Sequence, residues 1–341
     1  MIILKHRTVR IHIFSTFCII IILFFVSQIS LSAGQPPNNI AIWIDLYEAN
    51  LQNLKTDCKM KYLQISTTPD TILSLDILDQ SDEEVQKMVE ELTSGIFKVD
   101  DQKVYGAAEV FYKQDKFKLI ERNFSKETPQ HFSVIVDDNT NSVWRYDERP
   151  KEKGMYRMLQ IGADLDRALF CAITPDYFLE DTMLATGKDK FIHIKYKDLM
   201  MLAKEESFKE NDKSISFTTN NFRISADGQV QVDNSSGLYV AYEIDKSSGV
   251  ILKNIWYNNE KFSDRLIVTD TKNIGSSTIP IRMYNEMYNH DGSIFTRNLF
   301  LVYEASTEPI SDNEFIKNLI VPAGVKMVDH NLKLGGLTYE P

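Results

Sequence analysis

Apolar residues recur along this chain with two different periods. Ile40, Trp43, Ile44, Tyr47, Leu51 and Leu54 fall near the i, i+3, i+4, i+7 spacing that gathers side chains on one helical face, so residues 40–54 predict an amphipathic helix. Lys59 to Thr67 follows as a strand, with Met60, Tyr62 and Gln64 alternating with Lys61, Leu63 and Ile65 and both faces partly apolar. A second helix is marked at both ends. Ser81 and Glu84 form a capping box, Val85, Met88, Val89 and Leu92 make the stripe, and Gly95 supplies the stop.

From Lys103 the period changes to two. Val104–Tyr112, Lys116–Arg122, Phe132–Val136 and Val143–Tyr146 read as short strands joined by turns such as Lys113-Gln114-Asp115 and Asp137-Asp138-Asn139-Thr140-Asn141. Helical signals dominate from 162 to 213. Thr174-Pro175 resembles a helix start and Leu199–Ala203 leads into a charged run, so this block is expected to be helices covering one side of a sheet. β patterning then returns in Ser214–Thr219, Phe222–Ala226, Gln229–Val232, Leu238–Ile244, Val250–Tyr257, Arg265–Asp270, Ile279–Tyr288 and Ile294–Glu304. Its punctuation is explicit: Asp227-Gly228, Asp233 to Gly237, Lys246 to Gly249, and His290-Asp291-Gly292. The fold class expected is α+β, mainly antiparallel β, with a long meander of neighbouring strands.

The first 33 residues stand outside this pattern. Lys5, Arg7 and Arg10 precede an apolar run from Phe17 to Val26, and small residues Ser30, Ser32, Ala33 and Gly34 follow before Gln35-Pro36-Pro37. That order predicts a signal peptide over 1–33 and an exported mature chain over 34–341. The alternative is a retained membrane anchor. It needs about 20 apolar residues, a length reached only by including His12, Ser15, Thr16, Ser27 and Gln28. Export implies a periplasmic or extracellular location, or an inner-membrane anchor if the segment stays, with only transient membrane contact otherwise. Losing three basic residues takes the formal charge from −10 to −13, which argues against a nucleic-acid partner. Cys58 and Cys171 could form one disulfide in an oxidising compartment, and each equally fits a buried free thiol among apolar neighbours.

Candidate chemistry is sparse. The chain has no GxSxG, HExxH, CxxC or GxGxxG, and Thr182–Lys188 lacks the first glycine and the final hydroxyl of a phosphate loop. His131, His193, His290 and His330 show no metal-ligand spacing. Asp137/Asp138 fall in a turn and Asp164/Asp166 at a helix start, where acids serve local structure. No catalytic residue, metal or cofactor is therefore assigned. Aromatic residues make up 11% of the chain and concentrate in strands. Trp144 and Tyr146 share one strand face, with Val143 and Arg145 on the other. If the sheet curves beneath helices, Phe117, Leu119, Trp144 and Tyr146 are the expected lining of an apolar cavity.

The order of these features resembles a known family. A first amphipathic helix and strand lead to Val104–Tyr112, Lys116–Leu119, Phe132–Asp138 and Ser142-Val143-Trp144-Arg145-Tyr146-Asp147, as in the periplasmic lipoprotein-carrier (LolA/LolB-like) superfamily. The segment Val321–Asp329 is similar to the P-x-G-x-x-V-x-D ending of its large exported relatives. The resemblance implies an incomplete, half β-barrel covered by helices, as a single domain over 34–341 with the helical block as an insertion. It also implies a non-enzymatic carrier holding a lipid, the acyl chains of a lipoprotein or another apolar ligand. Two other readings remain at this stage: an interaction or sensor module for another envelope protein, and a hydrolase whose site is assembled from distant residues.

Overall fold

The computed structural model describes residues 38–67, 72–96, 103–114, 116–124, 130–137, 142–151, 154–162, 181–187, 190–225, 229–316, 321–329 and 334–338. The expected signal peptide, Thr174-Pro175 and Cys171 lie outside them. Helix α1 (Asn38–Thr56) and strand β1 (Cys58–Thr67) open the described fold, and α2 (Asp82–Ser94) follows. Next comes a run of hairpins: β2 (Lys103–Lys113), β3 (Lys116–Phe124), β4 (Gln130–Asp137), β5 (Ser142–Lys151) and β6 (Gly154–Gly162). The second half holds β9 (Lys209–Glu210), β10 (Ser214–Thr218), β13 (Leu238–Asp245), β14 (Ile251–Asn258), β15 (Lys261–Ile274), β16 (Ser277–Tyr288) and β17 (Ile294–Ser306). A small hairpin, β11 (Phe222–Ile224) and β12 (Val230–Val232), is inserted between β10 and β13. The chain ends with β18 (Lys326–Asp329) and β19 (Leu334–Thr338).

These strands build one open sheet in the order β19-β18-β6-β5-β4-β3-β2-β1-β17-β16-β15-β14-β13-β10-β9. Two meanders run outward from the middle, and β1 pairs antiparallel with β17 to join them. The sheet does not close into a barrel, because β9 and β19 end the order without pairing with each other. One connection breaks the antiparallel rule: after β17 the chain crosses to the far edge, where β18 runs parallel to β6.

Local structure follows the sequence closely where the signals were local. Ser81 Oγ accepts from Glu84 N at 3.3 Å and Glu84 Oε2 accepts from Ser81 N at 2.8 Å, so both halves of the capping box are present, and Gly95 ends α2 at φ 75°. The Asp245 carboxylate accepts from Ser247 N at 2.9 Å and Ser248 N at 2.8 Å, which fixes the β13–β14 turn. The helical reading of 162–213 needs correction. Residues 181–195 form a hairpin of β7 (Asp181–Gly187) and β8 (Lys190–Lys195), and the one α-helix described there is the short α3 (Tyr196–Met200). Met183, Leu184, Phe191, Ile192 and Ile194 are compatible with either period, and pairing between the two runs decided the outcome.

Candidate ligand-binding face

Cross-strand partners share a sheet face, so the register sorts every side chain. Following Met60↔Val110, Val110↔Leu119, Leu119↔Val134 and Val134↔Arg145 places Met60, Val110, Phe117, Leu119, Val134 and Val143 on one face. Through β17 and β16 the same face continues with Phe300 and Met283, then Leu266, Trp256, Tyr242 and Phe217. All of these are buried. The face is thus apolar over eleven neighbouring strands, from β5 to β10.

Helix α1 lies on this face and links its two apolar clusters. Ile40, Ile44 and Tyr47 join Phe217, Tyr242 and Trp256, while Leu51 and Leu54 join Met60, Phe117, Leu119 and Phe300. Three contacts set its position. The Asn50 side chain donates to Thr278 O at 2.9 Å and accepts from Thr278 N at 2.8 Å, standing in for a strand backbone at the start of β16. Glu48 pairs with Lys197 at 2.6 Å. Gly249, at φ 73°, comes so close that a Cβ there would lie 2.5 Å from Tyr47 N. Beside α1 runs a groove of about 450 Å³ lined by Tyr47, Glu48, Leu51, Lys55, Lys195 and Lys197.

The expected lining quartet divides between the two faces. Phe117 and Leu119 lie on the α1 face. Trp144 and Tyr146 lie on the other, where they pack with Ile135, Leu159, Val321 and Val325 beneath the C-terminal segment. Tyr146 OH donates to Glu148 at 2.5 Å, and burial followed by that hydrogen bond raises its pKa. These two aromatics are therefore not lining of the α1 face. The reading that Trp144 and Tyr146 share a strand face opposite Val143 and Arg145 stands; what failed was grouping that face with Phe117 and Leu119, because the pairing Phe117↔Val136↔Val143 puts Val143 with them. The Pro-Ala-Gly-Val ending has a structural role: Gly324 turns at φ 80° so that Val321 and Val325 can cap this cluster.

This architecture is similar to two solved structures. One is the crystal structure of a DUF1329 family protein from Desulfovibrio piger, 9% identical, covering 84% of this chain and 100% of that one at a TM-score of 0.42. The other is a LolA superfamily protein from Nitrosomonas europaea, 10% identical, covering 81% of this chain and 97% of that one at a TM-score of 0.41. Both are likenesses of fold alone. No protein-family model matches the chain, and no curated protein matches it.

Residues the sequence reading passed over dominate the polar end of the α1 face. Asn285 donates to both oxygens of Asp264 at 3.1 Å and accepts from Asn298 at 3.3 Å, forming a ladder across β15, β16 and β17. Burial lifts the Asp264 carboxyl to about 6, against the opposing effect of the Asn285 hydrogen bond. On the opposite face Glu286 is fully buried, and bonds from Arg265, Tyr288 and Arg297 outweigh its burial and hold its pKa down. Alternation puts the adjacent Asn285 and Glu286 on opposite faces, but only register names their partners. Cys58 is a free thiol, buried in the α1-face core, and burial pushes its pKa up to about 12, far from that of a reactive thiolate. Among the described residues no group of three His, Cys, Asp or Glu side chains converges to hold a metal ion, and no helix is long and apolar enough to cross a membrane.

Proposed function

We propose that this chain is an exported, non-enzymatic binding protein that holds a lipid, an acylated protein or a similar apolar ligand against the α1 face of its open sheet. The observation that carries the reading is a mismatch of size. Eleven strands at about 4.8 Å spacing make a lining about 48 Å across, whereas the 19 residues of α1 extend about 28 Å. A single sheet with one long apolar face offers a trough wider than the helix that crosses it. Tyr196, Leu199, Met200 and Phe222 cover its β10–β14 end, so the ligand is proposed to take the place of part of α1 over the rest.

The energies of the two occupants are comparable. Burying five α1 side chains (Ile40, Ile44, Tyr47, Leu51 and Leu54) is worth about 1.5–3 kcal/mol each. A long acyl chain gains about 0.8 kcal/mol per buried CH₂. One chain can therefore replace much of the helix contact without a large net cost, which suits reversible holding better than permanent sequestration. Lys55, Lys195 and Lys197 border the groove beside α1, where an anionic headgroup or carboxylate would emerge. In this reading residues 1–33 direct export to the periplasm or beyond and are removed.

Native mass spectrometry of gently purified protein is expected to show a co-purifying lipid-sized adduct. A parallel titration with a fluorescent fatty acid is expected to saturate. Leu119→Lys, on the α1 face, should abolish uptake, while Trp144→Lys, on the far face, should leave it within about twofold in any variant that retains its fold. Empty protein that takes up no acyl probe would overturn the proposal.

A further inference from the structure

The second meander carries another groove, on the sheet face that α1 does not touch. Tyr239 on β13 lies on the opposite side from its buried neighbours Val240 and Tyr242. Tyr257 on β14 stacks on it with ring centroids 4.6 Å apart and planes 5° from parallel. Phe262 follows at 5.1 Å and Tyr288 at 5.6 Å, so a row of rings buttresses Tyr239 from one side. Strand order places β14 on that side and β10 on the other. There the groove opens, about 490 Å³ in volume and lined by Lys204, Thr218, Asn220, Asn234, Tyr239 and Glu260, among others.

The lining is polar and balanced in charge: three amides, two threonine hydroxyls, one anion and one cation, Lys204, which also pairs with Glu206 at 3.3 Å, around a single aromatic wall. It does not suit an acyl chain, which would strip water from these groups without replacing their hydrogen bonds. Neither is it an anion site, because Glu260 faces the same space as Lys204. Its chemistry matches a ligand that is apolar on one flat side and rich in hydroxyls at its edges.

An independent observation comes from the backbone. Asn259 and Glu260 form the two-residue β14–β15 turn, closed by Asn258↔Lys261, and both have positive φ, 49° and 64°. Such turns favour Asn-Gly, since a residue with a full side chain is strained in the left-handed region. Here the second position carries glutamate, and that glutamate lines the groove. Asn259 packs so tightly on Gly237, whose carbonyl accepts its N–H at 3.0 Å, that any Cβ on Gly237 would strike the Asn259 side chain. The turn is thus held in place from below, with a strained carboxylate presented to the groove where glycine would be the relaxed choice. Strain of this kind collects at functional sites.

We infer that this groove is a binding site for a neutral saccharide. A sugar ring stacks its C–H face on Tyr239, and its hydroxyls meet the Glu260 carboxylate, the Asn220 and Asn234 amides and the Lys204 ammonium. The site is separate from the α1 face and does not depend on what that face binds.

Calorimetric titration of the purified full chain with tri-N-acetylglucosamine, cellotriose and maltotriose, and with trialanine as the peptide comparison, tests the assignment. At least one trisaccharide is expected to bind saturably, and Tyr239→Ala to weaken it about tenfold or more. The deciding variant is Glu260→Gly. It relaxes the turn, so the melting temperature is expected to hold or rise by about 2–4 °C while saccharide binding weakens at least about fivefold. No saturable binding of any trisaccharide up to about 10 mM, binding indifferent to Glu260→Gly, or trialanine binding with the same dependence on Tyr239 and Glu260 would each overturn the assignment.

Discussion

Single residues decide how closely α1 sits on its sheet. Gly249 is the sharpest case, because its positive φ and its contact with the α1 backbone both exclude a side chain. Gly249→Ala is expected to cost about 2–4 kcal/mol, and chemical denaturation of the variant checks it. The Asp264 carboxyl governs a pH dependence. Its folded pKa of about 6 lies above its ordinary value of 3.8, so its protonated form favours the fold. The stability it contributes is fully present below about pH 4 and is lost as pH rises through about 6. Asp264→Asn is therefore expected to gain on the parent between pH 5 and pH 7.5 by about 1–2 kcal/mol, allowing for its partial exposure. Equal denaturation midpoints for the two proteins across that range would contradict the assignment. None of this was legible in the chain: Asp264 falls just before the expected strand Arg265–Asp270, and nothing local places Asn285 beside it.

Among the elements, those specified by neighbours in sequence were read correctly. Helix α2 begins at its capping box and ends at Gly95 as expected, and Ser81→Ala should cost about 1 kcal/mol by denaturation. The α1 stripe buries Ile40, Ile44, Tyr47 and Leu54 as its spacing predicts. Its dock does not follow from spacing, since Asn50 is an exposed-looking amide on a helix and its partner Thr278 is 228 residues away. Asn50→Ala is expected to cost about 1–2 kcal/mol, because the Thr278 backbone would lose both of its hydrogen bonds to that amide. The lining quartet failed for a related reason. Alternation fixes which residues of one strand point the same way, but matching β3 to β5 requires the register through β4, and an offset of one residue exchanges the faces.

At the scale of the molecule, the single sheet forms only when its two meanders join in the middle. β1 finds its second partner in β17, as in the Lys61–Glu304 ion pair at 2.6 Å across 243 residues. The core around Met60, Tyr62, Phe300 and Val302 therefore cannot form until the last long strand is present. A chain truncated after residue 293 is expected to stay largely unfolded, susceptible to protease and without a cooperative thermal transition, whereas one ending after residue 329 keeps β18 and should retain one. A cooperative, protease-resistant shorter chain would show that the first meander folds alone. The C-terminal segment acts over a similar range, because it crosses the sheet to cap Ile135 and Tyr146 with Val321 and Val325.

The sequence by itself determined most of the longer strands, both long helices and the largely antiparallel class, because those depend on interactions a few residues apart, whereas β6, β18 and β19 carried no mark in it. Tertiary structure decided which meander ends meet, where α1 docks, which aromatics share a face, and that 181–195 pair as strands rather than coil into helices. Those outcomes depend on register and on contacts between residues hundreds apart. A local pattern carries no record of the partner that will complete it.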